Sequence, residues 1–206
     1  MSIPKFNAAG VIPPFLKDPR LMGRGSPYPA SSSDVAQHFA TSQRRCEILQ
    51  GWLDYRARLL NLGMTGFQWI DGSFCEDLTR ANREPGDIDV VTFWAPPEQT
   101  DPDAFEEDLW AKHRALVDPK LTKQTFQTDA YFVRLENKEW APVVLVHYWF
   151  GLFSHRRNDS AWKGIVQVPL DAGDDARAYA VVLARLAKPQ PSDGGSVEQS
   201  VESKAP

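Results

Sequence analysis

The chain is poor in cysteine, lacks any long apolar run and carries no surplus of positive charge. Its two cysteines, Cys46 and Cys75, stand at no metal-like spacing in 206 residues. They read as free thiols of a reducing cytoplasm rather than as a disulfide. The longest apolar run, Val143–Phe153, is eleven residues with His147 inside it, too short to cross a bilayer. The opening MSIPKFNAAGVIPPF has no apolar signal-peptide core. A cytoplasmic protein with no membrane partner is therefore expected. Lys and Arg total 23 against 27 Asp and Glu, a net charge of −4, which argues against extended nucleic acid as a partner. No internal repeat is present, and strands and helices do not alternate strictly, so an α+β fold is expected over a doubly wound one.

What is present is a core-sized supply of large rings, with seven Trp and eleven Phe. Residues 1–33 are rich in Pro, Gly and Ser and are expected to be mostly irregular, wrapped over the core, with the folded domain spanning 34–188. Ser33-Asp34 and Thr41-Ser42 are N-cap signals. Ile48, Leu49, Trp52, Leu53, Leu59, Leu60 and Leu62 recur at helical spacing, and Gly63 stands ready at C′. FQWID reads as a strand, CEDLTRAN as a short helix or a loop, and DIDVVTFW as the clearest strand of the chain. Asp101-Pro102 predicts an N-cap and N1 proline for a helix to about Val117, with Phe105, Leu109, Ala115 and Leu116 inward. TDAYFVRL and GIVQVPL are strand candidates. VVLVHYWFGLF suits a strand by composition and a buried helix by length. ARAYAVVLARLAK predicts a closing helix, with Ala178, Val181, Val182, Leu183 and Leu186 available for packing. Residues 189–206 have little to bury and are expected to be a disordered tail.

The chemistry centres on DGSFCEDLTRANREPGDIDVV, Asp71–Val91. Residues two apart on a strand share a face, so Asp87 and Asp89 lie side by side on an otherwise apolar strand. Two such carboxylates repel each other and lose solvation. A hard divalent cation, Mg²⁺ or Mn²⁺, resolves that conflict. Asp129 opens another apolar strand and is the best candidate for a third ligand. Upstream, Gly72 allows close backbone approach, and the turn with the Ser73 hydroxyl could hold the phosphates of an NTP. Lys163 could reach a phosphate as a point charge, or stand as a plain lysine at a strand entry.

Gly72-Ser73 followed by Asp87-Ile88-Asp89 resembles the signature of the polymerase-β-like nucleotidyltransferase superfamily. There a Gly-Ser turn precedes an Asp-x-Asp strand and a third carboxylate lies on the neighbouring strand, the place that Asp129 would take. The segments SPYPASSSDVAQHF, TSQRRCEILQGWLDYRARL, GFQWIDGSF, PGDIDVVTFW, TDAYFV and WFGLFSHRR with WKGIVQVPL together resemble a little-characterised family of small bacterial nucleotidyltransferase-like proteins, over most of residues 1–170. The resemblance implies a small mixed sheet with flanking helices. It also implies catalytic and metal-binding roles for Asp87, Asp89 and Asp129, with Mg²⁺ or Mn²⁺ as cofactor and an NTP as substrate. The expected reaction moves NMP to a hydroxyl on a protein, an RNA or a small molecule. A toxin–antitoxin or phage-defence setting, with a protein partner, is implied in the same way. The alternative is an inactive nucleotide- or partner-binding module resembling an antitoxin subunit. The sequence departs from the superfamily pattern at Pro85-Gly86, which leave room for only a short helix after the Gly-Ser turn.

Other residues carry two readings. His155, Arg156 and Arg157 either contact a phosphate or RNA acceptor, or form a solvated cluster at a helix C-terminus. His147 reads as a hydrogen-bonded core histidine, and Glu76 and Asp77 as first-turn helix acids. Cys75 reads as a small buried side chain. Trp69, Phe93 and Trp94 are core residues by default, with base stacking as the other possibility.

Overall fold

A computed structural model of the chain describes residues 3–18, 20, 23, 25–135 and 141–188. Five strands form one mixed sheet: β1 (Tyr28–Pro29), β2 (Thr65–Asp71), β3 (Ile88–Ala95), β4 (Thr128–Arg134) and β5 (Val166–Pro169), in the order β1-β5-β2-β3-β4. The helices are α1 (Ser32–Phe39), α2 (Gln43–Asn61), α3 (Pro102–Lys112), α4 (Arg114–Val117), α5 (Pro119–Phe126), α6 (Ala141–Phe153) and α7 (Ala172–Leu186). The fold is α+β, a five-stranded mixed sheet with flanking helices. The tail expected to be disordered, 189–206, lies outside the described residues.

The alternation of β3 divides the molecule. Ile88, Val90 and Trp94 face the helices, where α1, α2 and α7 build one core with Ile70, Val166 and Val168, and α3–α5 build a second around Trp94. Val91 and Phe93 face the other way, into a cluster with Trp69, Val133 and the α6 residues Trp149 and Phe153. Asp89 shares that second face, two residues before Val91, and β2–β3 pairing is antiparallel while β3–β4 is parallel. The sheet therefore carries its acids at strand ends, on the α6 side.

The helix signals are partly right. α2 ends as expected: Gly63 has φ +76, with Gly63 N–H donating to Leu60 O and Met64 N–H to Leu59 O, the bonds of a Schellman stop. Asp101 caps α3 through the Asp103 and Ala104 N–H groups. The α1 cap is Ser31, not Ser33, because Ser31 and Asp34 close a reciprocal capping box. Ser33 is used instead with Ser32 to bind Asp174 of α7, through bonds of 2.7–2.9 Å. The helix expected to reach Val117 breaks at His113, leaving Ala115 exposed.

Within the mostly irregular segment 1–33, Tyr28–Pro29 adds a parallel edge strand to β5, and Ile12, with its carbonyl accepting from Gly164 N–H, sits in the core. Gly164 permits this, since a Cβ there would stand 2.7 Å from Pro13 O. Val143–Phe153 is helical, but only its Trp149 and Phe153 are buried. Val143, Val144 and Tyr148 are 57–64% exposed, and His147 is exposed rather than a core histidine. Glu76 and Asp77 do not open a helix; Glu76 is extended and buried, and Asp77 accepts from Thr79 in a turn.

A buried polar network crosses the main core. Arg56, fully buried, pairs with Asp175 at 2.9 Å and donates to Gln68 and to Pro169 O. Gln68 also accepts from the Trp52 indole and donates to Thr92. None of its buried side-chain nitrogen and oxygen atoms is left without a partner among the described residues, and the network fixes α2 against the sheet and α7.

Candidate metal and nucleotide site

Strand register gathers the acids. Asp89 pairs with Asp129 across the parallel β3–β4 ladder and with Asp71 across the antiparallel β2–β3 ladder. Asp87 lies just before β3, two residues from Asp89 and on its face. One ligand oxygen from each of Asp87, Asp89 and Asp129 lies within 4.8 Å of the others, and all three residues are half-buried. The expected triad is thus assembled. Carboxylate oxygens, half-desolvated and converging, fit a hard divalent cation.

The electrostatics show what such a cation relieves. Burial, then the charges of Asp87 and Asp129, push the Asp89 carboxyl up to about 6, while Arg157 and Lys163 act to lower it. Burial also raises Asp71, against the pull of Lys163. Asp71 Oδ1 is buried with no hydrogen-bond partner among the described residues. Asp71 stands outside the Gly-Ser and Asp-x-Asp motifs, although the alternation Phe67, Trp69, Asp71 on β2 is a signal that could have found it.

Gly72 is required by Asp89 itself. Its φ is +78, and a Cβ would stand 2.0 Å from Asp89 Oδ2. Gly72-Ser73 opens a single 3₁₀ turn ending at Cys75, so no long helix follows to lend its dipole to a phosphate. The loop is held from beneath: Arg45 donates to Phe74 O and Glu76 O, both at 2.7 Å. Cys75 is buried and free, its thiol raised by burial, in keeping with a packing role. Cys46 is likewise buried and free.

Lys163 is in the site but is not a free phosphate ligand. Its Nζ lies 3.0 Å from Asp71 Oδ2, 3.1 Å from Glu76 Oε1 and 3.2 Å from Gly72 O. Those contacts use its three N–H donors, and the side chain is 3% exposed. Burial alone would lower the ammonium, but Asp71 and Glu76 outweigh it and raise its pKa. Lys163 therefore fixes the Gly72 turn and offsets buried acid charge.

The acids, Gly72 and Ser73 line a cleft of about 200 Å³ with Arg83, Lys123, Arg157 and Asn158. Of the basic run, His155 Nδ1 lies 3.1 Å from Gly151 O at the α6 C-terminus, and Arg156 is spent on Asp159 and Ala9 O. Arg157 remains at the cleft wall. Trp69, Phe93 and Trp94 are buried core residues. A wider cleft of about 670 Å³ adjoins at Arg83, floored by Phe39 and Leu78, and contains none of the triad.

Lys123 escapes the sequence reading altogether, because α5 is not among its expected helices. Its ammonium makes an ion pair with Asp87 and lies 3.7 Å from Asp129. A signal is there: Asp118-Pro119 repeats the N-cap and N1 proline of Asp101-Pro102, and Asp118 accepts from Lys120 N–H.

Among curated proteins and among solved structures, none matches the chain. One family model, that of a family of unknown function (DUF6932), matches residues 4–169, the span that carries the whole sheet and every residue of the acidic cleft. The chain belongs to that family of unknown function, DUF6932.

Proposed function

We propose that the protein is a divalent-metal-dependent nucleotidyltransferase that moves NMP from an NTP to a hydroxyl acceptor and releases pyrophosphate. The observation that carries this reading is the triad in register: Asp87, Asp89 and Asp129 converging beside the Gly72-Ser73 turn in one cleft. The three carboxylates would hold Mg²⁺ or Mn²⁺, which when bound would neutralise phosphate charge and lower the barrier to displacement at the α-phosphorus.

The chain's own residues divide the remaining tasks. Asp129, on the edge strand β4, would accept the proton of the acceptor hydroxyl as its oxygen forms the bond to the α-phosphorus. The bond from that phosphorus to the bridging oxygen breaks, and the electron pair leaves with pyrophosphate. Ser73 would donate to a phosphate oxygen. The single 3₁₀ turn lacks a helix dipole, so Arg83 and Arg157 would supply most of the positive charge around the phosphates. Lys163 would keep Gly72 against Asp89. The cleft is sized for the metal and phosphate end, leaving base and ribose nearer solvent.

The exposed apolar side of α6 favours a second reading, a partner-binding module that keeps the fold and nucleotide affinity without turnover. One comparison separates the two. Wild type and Asp87→Ala/Asp89→Ala are incubated with each α-labelled NTP, Mg²⁺ or Mn²⁺, and cell extract. Label transfer lost in the double variant supports the transferase; metal-dependent NTP binding without transfer to any acceptor supports the module instead.

A further inference from the structure

Two lysines flank the same acids and are held in opposite ways. Lys163 is buried, with each donor engaged. Lys123 reaches over the triad from the last turn of α5 and is 54% exposed, against 17% and 21% for the Asp87 and Asp129 side chains it touches. The backbone beneath Lys123 is firmly placed. Gly51 of α2 lets α5 approach so closely that a Cβ there would stand 2.2 Å from Phe126 O. Arg44 donates to the Gln127 side chain and to the carbonyls of Pro85 and Gly86, tying the α5 C-terminus to the chain entering β3. Ile88 N–H donates to Gln127 O at 3.1 Å, closing the same junction. The base is rigid while the tip stands in solvent.

We propose that Lys123 is a tethered counter-cation of the triad, which a divalent ion must displace from Asp87 and Asp129 in order to bind. The inference rests on reading the triad as a metal site. Three converging carboxylates without a cation repel one another; the Lys123 ammonium neutralises part of that charge and so competes for the same oxygens. A partly exposed lysine pair is held weakly, so the ammonium can leave for water at modest cost. Lys163 cannot, because leaving would strand Asp71 and Glu76 as unpaired buried acids. Metal alone is then bound less tightly than three carboxylates would otherwise bind it. A metal that arrives already on a triphosphate meets no such handicap, because the displaced ammonium finds phosphate oxygens in the same cleft. Lys123 thereby favours loading of metal and nucleotide together over metal alone.

The test is Mn²⁺ binding at pH 7.5 without nucleotide, followed by electron paramagnetic resonance of free Mn²⁺. Wild type, Lys123→Ala, Lys123→Gln and Asp87→Ala/Asp89→Ala are compared, with thermal unfolding to show that each is folded. Both Lys123 variants are expected to bind Mn²⁺ about five- to tenfold tighter than wild type, a change of about 1–1.4 kcal/mol. Unchanged or weaker binding in both, with binding abolished in the double aspartate variant, overturns the role of Lys123 and leaves the metal site standing. Absence of saturable Mn²⁺ binding in wild type and both Lys123 variants overturns the metal reading and this inference with it.

Discussion

Asp89 is where the competing forces meet. Burial and two neighbouring carboxylates raise its pKa to about 6, above the roughly 3.9 of an unfolded chain. The folded state therefore keeps this proton to higher pH than the unfolded state does. The neutral acid costs nothing below about pH 4, and stability falls as pH rises through 6 and the charge appears. In EDTA, Asp89→Asn should be more stable than wild type at pH 7.5 by roughly 1–3 kcal/mol, with the gap closing towards pH 4. Denaturant unfolding at the two pH values measures this; a gap that persists at pH 4 would show that charge is not its cause. The triad is legible in the sequence because strand periodicity puts Asp87 and Asp89 on one face and carboxylates rarely sit idle on an apolar strand. Lys163 is legible only as a nearby charge. Its three-way burial by Asp71, Glu76 and Gly72 depends on loop geometry that no local pattern encodes.

At the scale of elements, local signals work where the element governs itself and fail where tertiary contacts decide. Gly63 stops α2 and Asp101 caps α3 as expected. Ser33-Asp34 misleads because Ser31 takes the cap and Ser33 is drawn to α7. That staple has its own pH signature. Burial works to raise Asp174, but the Ser33 N–H, the Ser32 and Ser33 hydroxyls and Arg177 together hold it well below the usual carboxylate range. A depressed carboxyl contributes stability above the unfolded pKa and loses it as pH falls towards the folded one. Asp174→Ala should cost about 2 kcal/mol near neutrality, and the cost should shrink below about pH 4. Guanidinium unfolding of both proteins from pH 7 to pH 3 reads the difference; a pH-independent cost would point to lost packing instead. α5 escapes notice although Asp118-Pro119 announces it, and with it goes Lys123.

On the whole-molecule scale, a net charge of −4 conceals a divided surface. Four acids, Asp71, Asp87, Asp89 and Asp129, sit at one end of the sheet, and Arg83, Lys123, Arg157 and Lys163 surround them. The N-terminal segment crosses behind this cleft, with Ile12 and Tyr28 pressed against the Lys163–Ile165 entry to β5. Composition alone does not single out Ile12 and Tyr28 for this packing, because proline- and glycine-rich sequence reads alike whether loose or closely packed. Helix α6 presents a similar difficulty: its apolar sequence suggests burial, yet over Val143–Phe153 only Trp149 and Phe153 are buried. Sheet register, loop and basic wall converge at one place, the proposed metal and nucleotide site. Crystals grown with Mn²⁺ and a non-hydrolysable NTP analogue test it most directly, through anomalous scattering. Manganese is expected on Asp87, Asp89 and Asp129, with the triphosphate reaching towards Ser73 and Arg157; manganese bound elsewhere, or nucleotide bound away from the triad, would refute the proposed function.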